Sequence, residues 1–206
     1  MYKSYNEISL KSICQEVGIS TGHLSYYFPK KEQLITNSLS QAFRKFGRIL
    51  KEELDFVDAE SLGFYLAIEY LIFFVACDRE EFRKTYLSLQ KLPDVIISES
   101  RVLIDNYFQI FEEIGADSDR DRIFLSHMDL YFHLTNSYYL LQEGEIHTTK
   151  EEIFDRGIRN FLWMCGLNDE LIRKYIDQMY RIISLIDREE VFVRAIEMEN
   201  MDYDEI

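Results

Sequence analysis

SLKSICQEVGISTGHLSYYFPKKEQL, residues 9–34, holds two short helical patterns separated by a tight turn and followed by a third that runs much further. Leu10, Ile13 and Val17 recur at helical spacing behind Ser9, a residue type that caps a helix by accepting orphan amide hydrogens. Gly18 is placed to end this segment, since glycine readily takes the left-handed conformation of a helix C-terminus. Ile19 is expected to turn inward as a plug, and Ser20 to cap a second helix from Thr21 to Phe28. In that helix Leu24 and Phe28 form one apolar stripe at i, i+4. Thr21, Gly22, His23, Ser25 and Tyr26 are left facing elsewhere. Pro29 stops the helix, and Lys30 and Lys31 bring two positive charges to the start of the next, whose free amides also suit a phosphate.

Ile13-Cys14, Gly18-Ile19-Ser20, Leu24, Tyr27-Phe28 and Lys31-Glu32-Gln33-Leu34 together resemble the helix-turn-helix of the TetR/AcrR family of bacterial transcriptional regulators. Two departures stand out. The family has a tyrosine directly after the leucine of the reading helix, where this chain has Ser25. Only MYKSYNEI precedes Ser9, which is too short for the first helix that covers the motif in the family. Either further chain lies upstream of Met1, or the head is unusual.

The resemblance implies an all-α fold, a helix-turn-helix head with its first helix cut short at residues 1–47 and a larger helical ligand-binding and dimerisation body at 48–206. A helix laid in the major groove meets bases with its N-terminal half, where the small residues Thr21 and Gly22 allow close approach. His23 and Tyr26 are assigned to base edges or sugar-phosphate, and Thr21 and Ser25 to hydrogen bonds with phosphates or bases. Lys31, Lys30 and Lys11 are assigned to phosphate neutralisation. Ser20 and Tyr27 complete the expected set.

Composition is consistent with this. The 206 residues are 47% hydrophobic and 15% aromatic, enough for a sizeable core, and 8 Gly and 2 Pro without sustained alternation of apolar and polar residues argue against a sheet. No signal peptide is evident, and the longest apolar run, near Tyr70 to Cys77, is too short to span a bilayer, so a cytoplasmic protein is expected. Cys14, Cys77 and Cys165 are odd in number and far apart, so reduced thiols are expected rather than disulfides or zinc. The net charge of -14 opposes DNA binding as a whole. Residues 1–50, however, carry seven basic groups against three acids, a net +4 that leaves -18 for the remainder. A basic head on an acidic body orients toward DNA head first.

A long helix from Lys31 to about Leu54 should join head to body, its buried stripe running Leu34, Ile35, Leu39, Ala42, Phe43, Phe46, Leu50, with Gly47 a place for a bend. Body helices follow at about 61–76, 80–90, from Pro93 to before Gly115, 119–143 and 149–166, the last two opened by capping patterns. Asn168 and Asp187 can each cap one more. By the resemblance, 119–143 and 149–166 pair with their copies in a second subunit. The candidate stripes are Ile123, His127, Leu130, Leu134, Ser137, Leu141 and Ile153, Gly157, Phe161, Met164, Cys165, which serve equally as ordinary core.

The resemblance also implies a small-molecule inducer in the aromatic-rich body, with Tyr107, Tyr131 and Tyr138 the chosen ligand-binding candidates. Catalysis is not expected. His127 and His133 lie six apart and point about 120° from each other on one helix, so they cannot share a metal, and no phosphate loop or nucleophile elbow occurs. No cofactor is indicated. The expected function is a ligand-responsive DNA-binding regulator, a repressor acting as a homodimer on an inverted-repeat operator in double-stranded DNA. The alternative is a helical relative that has lost DNA binding and works through protein contacts.

Overall fold

Most helices begin where the sequence supplies a cap. In the computed structural model, which describes residues 8–54, 61–88, 92–116 and 119–198, Ser9, Ser20, Ser61, Asp119, Thr149, Asn168 and Asp187 each accept a first-turn amide through the side chain. These caps open α1 (Leu10–Val17), α2 (Thr21–Tyr27), α4 (Leu62–Asp78), α7 (Arg120–Gln142), α8 (Lys150–Met164), α9 (Asp169–Ser184) and α10 (Arg188–Glu197). The others are α3 (Lys31–Glu53), α5 (Glu80–Ser88) and α6 (Pro93–Glu113), which opens on the expected proline. No strand occurs among the described residues. By sequence, Tyr2, Tyr5 and Ile8 offer enough apolar groups for a frayed turn and the acidic tail Asn200–Ile206 is expected to be loose; Tyr2, Tyr5 and that tail lie outside the described residues.

The body is built around α4. Its run LGFYLAIEYLIFFVACD has no polar side, and nearly every residue from Leu62 to Cys77 is buried, as a helix apolar all round must be. Helices α3, α5, α8 and α9 surround it. In α3, Phe43, Phe46, Ile49 and Leu50 are buried while Leu34, Ile35, Leu39 and Ala42 are only half covered. Gly47 lies within one unbroken helix. A Cβ there would stand 3.3 Å from Ile68 Cδ1, so this glycine sets how closely α3 lies on α4.

Two expectations are corrected. Ile19 does not plug the turn: it is 37% exposed, and Val17 is 59% exposed. The buried pair in the head is Cys14 on α1 and Leu24 on α2, because the side of α1 that is covered passes through Cys14 rather than through Val17. The stripes proposed for a second subunit are spent inside the protomer. Ile123, His127, Leu130, Leu134, Ile153, Gly157, Phe161 and Cys165 are all buried, since α7 is packed by α5, α6 and α8 at once. A Cβ on Gly157 would lie 2.8 Å from His133 Cδ2 and 3.1 Å from Leu130 Cδ1, which shows how tightly α8 seats on α7.

Residues 169–197, beyond the reach of the sequence pattern, add α9 against α4 and α10 against α3. Arg194 of α10 reaches Glu52 at 2.8 Å and also meets Glu53, holding the C-terminal helix to the connector.

All three cysteines are free and buried. Burial pushes the Cys77 and Cys165 thiols up to about 12. The thiolate is the reactive form. Both should therefore react with a thiol reagent at pH 8 on the order of a thousandfold more slowly in the native protein than in denaturant, where a cysteine titrates near ~8.5. Peptide mapping after alkylation measures this, and fast native labelling of either would contradict the packing.

Candidate nucleic-acid interface

The turn between α1 and α2 is short because Gly18 takes φ 72, a conformation that strains a residue with a Cβ. The Ile19 amide then donates to Cys14 O at 3.0 Å, closing α1. Four residues later the His23 amide donates to Ser20 Oγ at 3.1 Å and opens α2. At its other end the Phe28 amide donates to Leu24 O at 2.8 Å, just before Pro29. Two turns of helix are thus fixed at both ends by four residue types readable in the sequence.

Leu24 is the one buried residue of α2. Thr21, Gly22, His23, Tyr26 and Tyr27 are exposed, and Ser25 is half-buried. Tyr26 and Tyr27 are 80% and 62% exposed and lie edge to face with ring centroids 5.0 Å apart, while His23 meets Tyr27 at 5.4 Å. These three rings brace one another on the outer side. No atom lies within 4 Å of where a Cβ on Gly22 would be, so the backbone there is open to close approach. This outer face offers hydrogen-bond donors and acceptors together with flat rings, the chemistry that base edges and sugar-phosphate accept.

The basic residues divide. Lys11 and Lys30 are exposed on the head. Lys31 is half-buried and its ammonium donates to Ile8 O at 2.7 Å, tying the segment before α1 to the start of α3. The Lys30 amide is already taken by Gln33 Oε1 at 3.0 Å. Further along α3, Arg44 is buried, Lys45 is half-buried and Arg48 pairs with Glu52 at 3.0 Å. Part of the positive charge counted for the N-terminal quarter therefore belongs to the body. Among the described residues, the head's exposed or half-exposed cations before the body are Lys11, Lys30 and Lys31.

Residues 2–37 match the family model of the bacterial regulatory proteins of the tetR family. Over that segment the chain is similar to the N-terminal domain of the TetR family. No curated protein and no solved structure matches it. The match takes in α1, α2 and the first turns of α3, and a domain of this kind supports a DNA-binding transcriptional regulator.

In the body, two of the three tyrosines chosen as ligand contacts come together and the third does not. Tyr107 Oη and Tyr131 Oη lie 3.3 and 3.5 Å from the carboxylate of Glu69. The same carboxylate is 3.1 Å from His127 Nε2, and His127 Nδ1 is 3.0 Å from Ser100 Oγ. All five residues are buried. Burial, and next the Glu69 charge, hold the Tyr107 phenol well above its ordinary range. Tyr138 instead donates to Cys77 O at 2.9 Å, and burial pushes its phenol up to about 12. His133 has its own partner, Ile153 O at 3.2 Å. Glu69 was not among the candidates, although a visible signal marks it: it is the one charge in the apolar run from Leu62 to Cys77. A carboxylate is retained in such a place only when it has partners.

Proposed function

We propose that this chain is a repressor of the TetR family that binds an inverted-repeat operator as a homodimer and releases it when a small molecule enters the body. The observation that carries the DNA reading is the outer face of α2, where His23, Tyr26 and Tyr27 stand free of the protein on a helix capped at both ends. Two such helices must sit roughly 34–36 Å apart to enter successive major grooves. Because α2 is joined to the body through the continuous helix α3, a change in the tilt of α3 changes that separation.

The second subunit is expected on the outer side of α7 and α8. Leu125 and Trp163 are 58% and 67% exposed, and they share one end of the helix pair, where Arg122 bonds to Met164 O. The inducer is expected at the Glu69 cluster, a carboxylate, an imidazole and two phenols within an apolar body, a set suited to a small molecule with hydrogen-bond donors or a positive charge.

The test is equilibrium binding to the DNA flanking the protein's own gene over a range of salt. Affinity should fall linearly in log-log form, and Lys11→Ala and Lys30→Ala should each reduce the slope by about 1 while weakening all sequences alike. No binding at low salt would sink the proposal and favour a protein that works through protein contacts.

A further inference from the structure

A groove of about 630 Å³ opens beside α3, between the head and the body. Its walls are the face of α3 from Leu34 to Phe46, Ile72 to Ala76 of α4, Phe82 and Tyr86 of α5, and Phe192 to Ile196 of α10. It is separate from the Glu69 cluster and shares none of its residues. The volume is that of a small-molecule site. Two large apolar side chains on its rim, Phe82 and Ile196, are 41% and 59% exposed, and Leu34 and Ile35 at its head end are only half covered. These groups gain from an apolar occupant.

The charge within the groove runs against that of the chain. The protein carries -14 overall, yet no Asp or Glu lines this groove, and its one charged lining side chain is Lys45. Lys45 is half-buried and makes no ion pair among the described residues. The other polar lining groups, Asn37, Ser38, Gln41 and Tyr86, are neutral, so one cation on a mostly apolar wall selects an anion that brings its own apolar surface. From Leu34 to Lys45, α3 rises about 16 Å at ~1.5 Å per residue, which matches an extended chain of about twelve carbons.

We infer that the groove between α3 and α10 binds an amphipathic carboxylate, with its carboxylate on Lys45 and its hydrocarbon tail along α3 toward Leu34 and Ile35. Bound there, the tail fills the space under the first turns of α3 and wedges that helix against α10. On the function proposed above, this is a second control point on head separation, acting on the connector directly.

Calorimetric titration of the full chain with dodecanoate, without DNA, tests the site independently of operator binding. Saturable binding at one molecule per protomer is expected. Lys45→Gln should weaken dodecanoate about tenfold, the worth of a charge-assisted hydrogen bond, and leave dodecan-1-ol unchanged. Ile196→Glu, at an exposed rim position that folding does not depend on, should weaken dodecanoate more than dodecan-1-ol. Circular dichroism confirms that both variants keep the wild-type helical signal. Absence of saturable binding overturns the inference, as does dodecyltrimethylammonium binding as tightly as dodecanoate, or dodecanoate binding untouched by both substitutions. Dissociation of a dimer by Ile196→Glu would also overturn it, by making a second copy the occupant.

Discussion

His127→Ala is expected to destabilise the protein by about 3–5 kcal/mol, because it leaves the buried Glu69 carboxyl short of its nearest partner and empties the volume of the ring. The imidazole bridges Ser100 at 3.0 Å and Glu69 at 3.1 Å with 1% of its surface exposed. Without it, Glu69 keeps only the longer contacts to Tyr107 and Tyr131, and a cavity opens beside Phe161, whose ring centroid lies 5.8 Å from that of the imidazole. Against a total stability of ~5–15 kcal/mol for a typical domain, that loss is visible in any denaturant titration. The double variant Glu69→Leu, His127→Leu should recover much of it, because an apolar pair leaves no carboxylate to satisfy. If the single substitution costs less than about 1 kcal/mol, the pairing does not hold the core, since surface-like values of that size belong to exposed ion pairs.

If the protein is the homodimer proposed, Trp163→Glu is expected to leave it monomeric at micromolar concentration. Trp163 is 67% exposed on α8 at the end where α7 begins, and aromatic anchors of this kind dominate interface energetics, at about 2 kcal/mol or more each. In a twofold interface each substitution acts twice. The protomer itself should keep its helical signal, because the side chain contributes little to its own core. Sedimentation velocity distinguishes the outcomes, and an undisturbed dimer would place the interface away from Trp163 and Leu125. Operator affinity should drop with the dimer, since one head alone reaches one half-site.

The positions that shape the local backbone were legible in the sequence. Ser9, Ser20, Thr149, Asn168 and Asp187 announced helix starts, and Gly18 announced the turn, because capping and left-handed backbone depend on a few adjacent atoms. The turn and the outer face of α2 were readable for the same reason, since Gly18, Ser20, Leu24 and Pro29 suffice to aim α2, whereas the inner side of α1 was not, because Cys14 rather than Val17 is covered. The side-chain roles of the basic residues were less so. Lys31 bonding to Ile8 O and Arg44 turning into the body depend on what lies across from them, which charge counting along the chain ignores.

Periodicity told which residues of α7 and α8 were apolar. It could not say whether that stripe met its own body or another subunit, because both environments reward the same pattern. Packing by α5, α6 and α8 decided for the protomer and left Leu125 and Trp163 outside. The convergence of Glu69, Ser100, Tyr107, His127 and Tyr131, and the groove that α10 closes over Lys45, likewise exist only once distant segments meet. By itself the sequence determined ten helical segments and a head of known kind, since each is specified within a few turns of chain. The partners of its buried and half-buried polar groups were settled by tertiary structure, because a hydrogen bond or a cavity belongs to residues that adjacency in the chain does not relate.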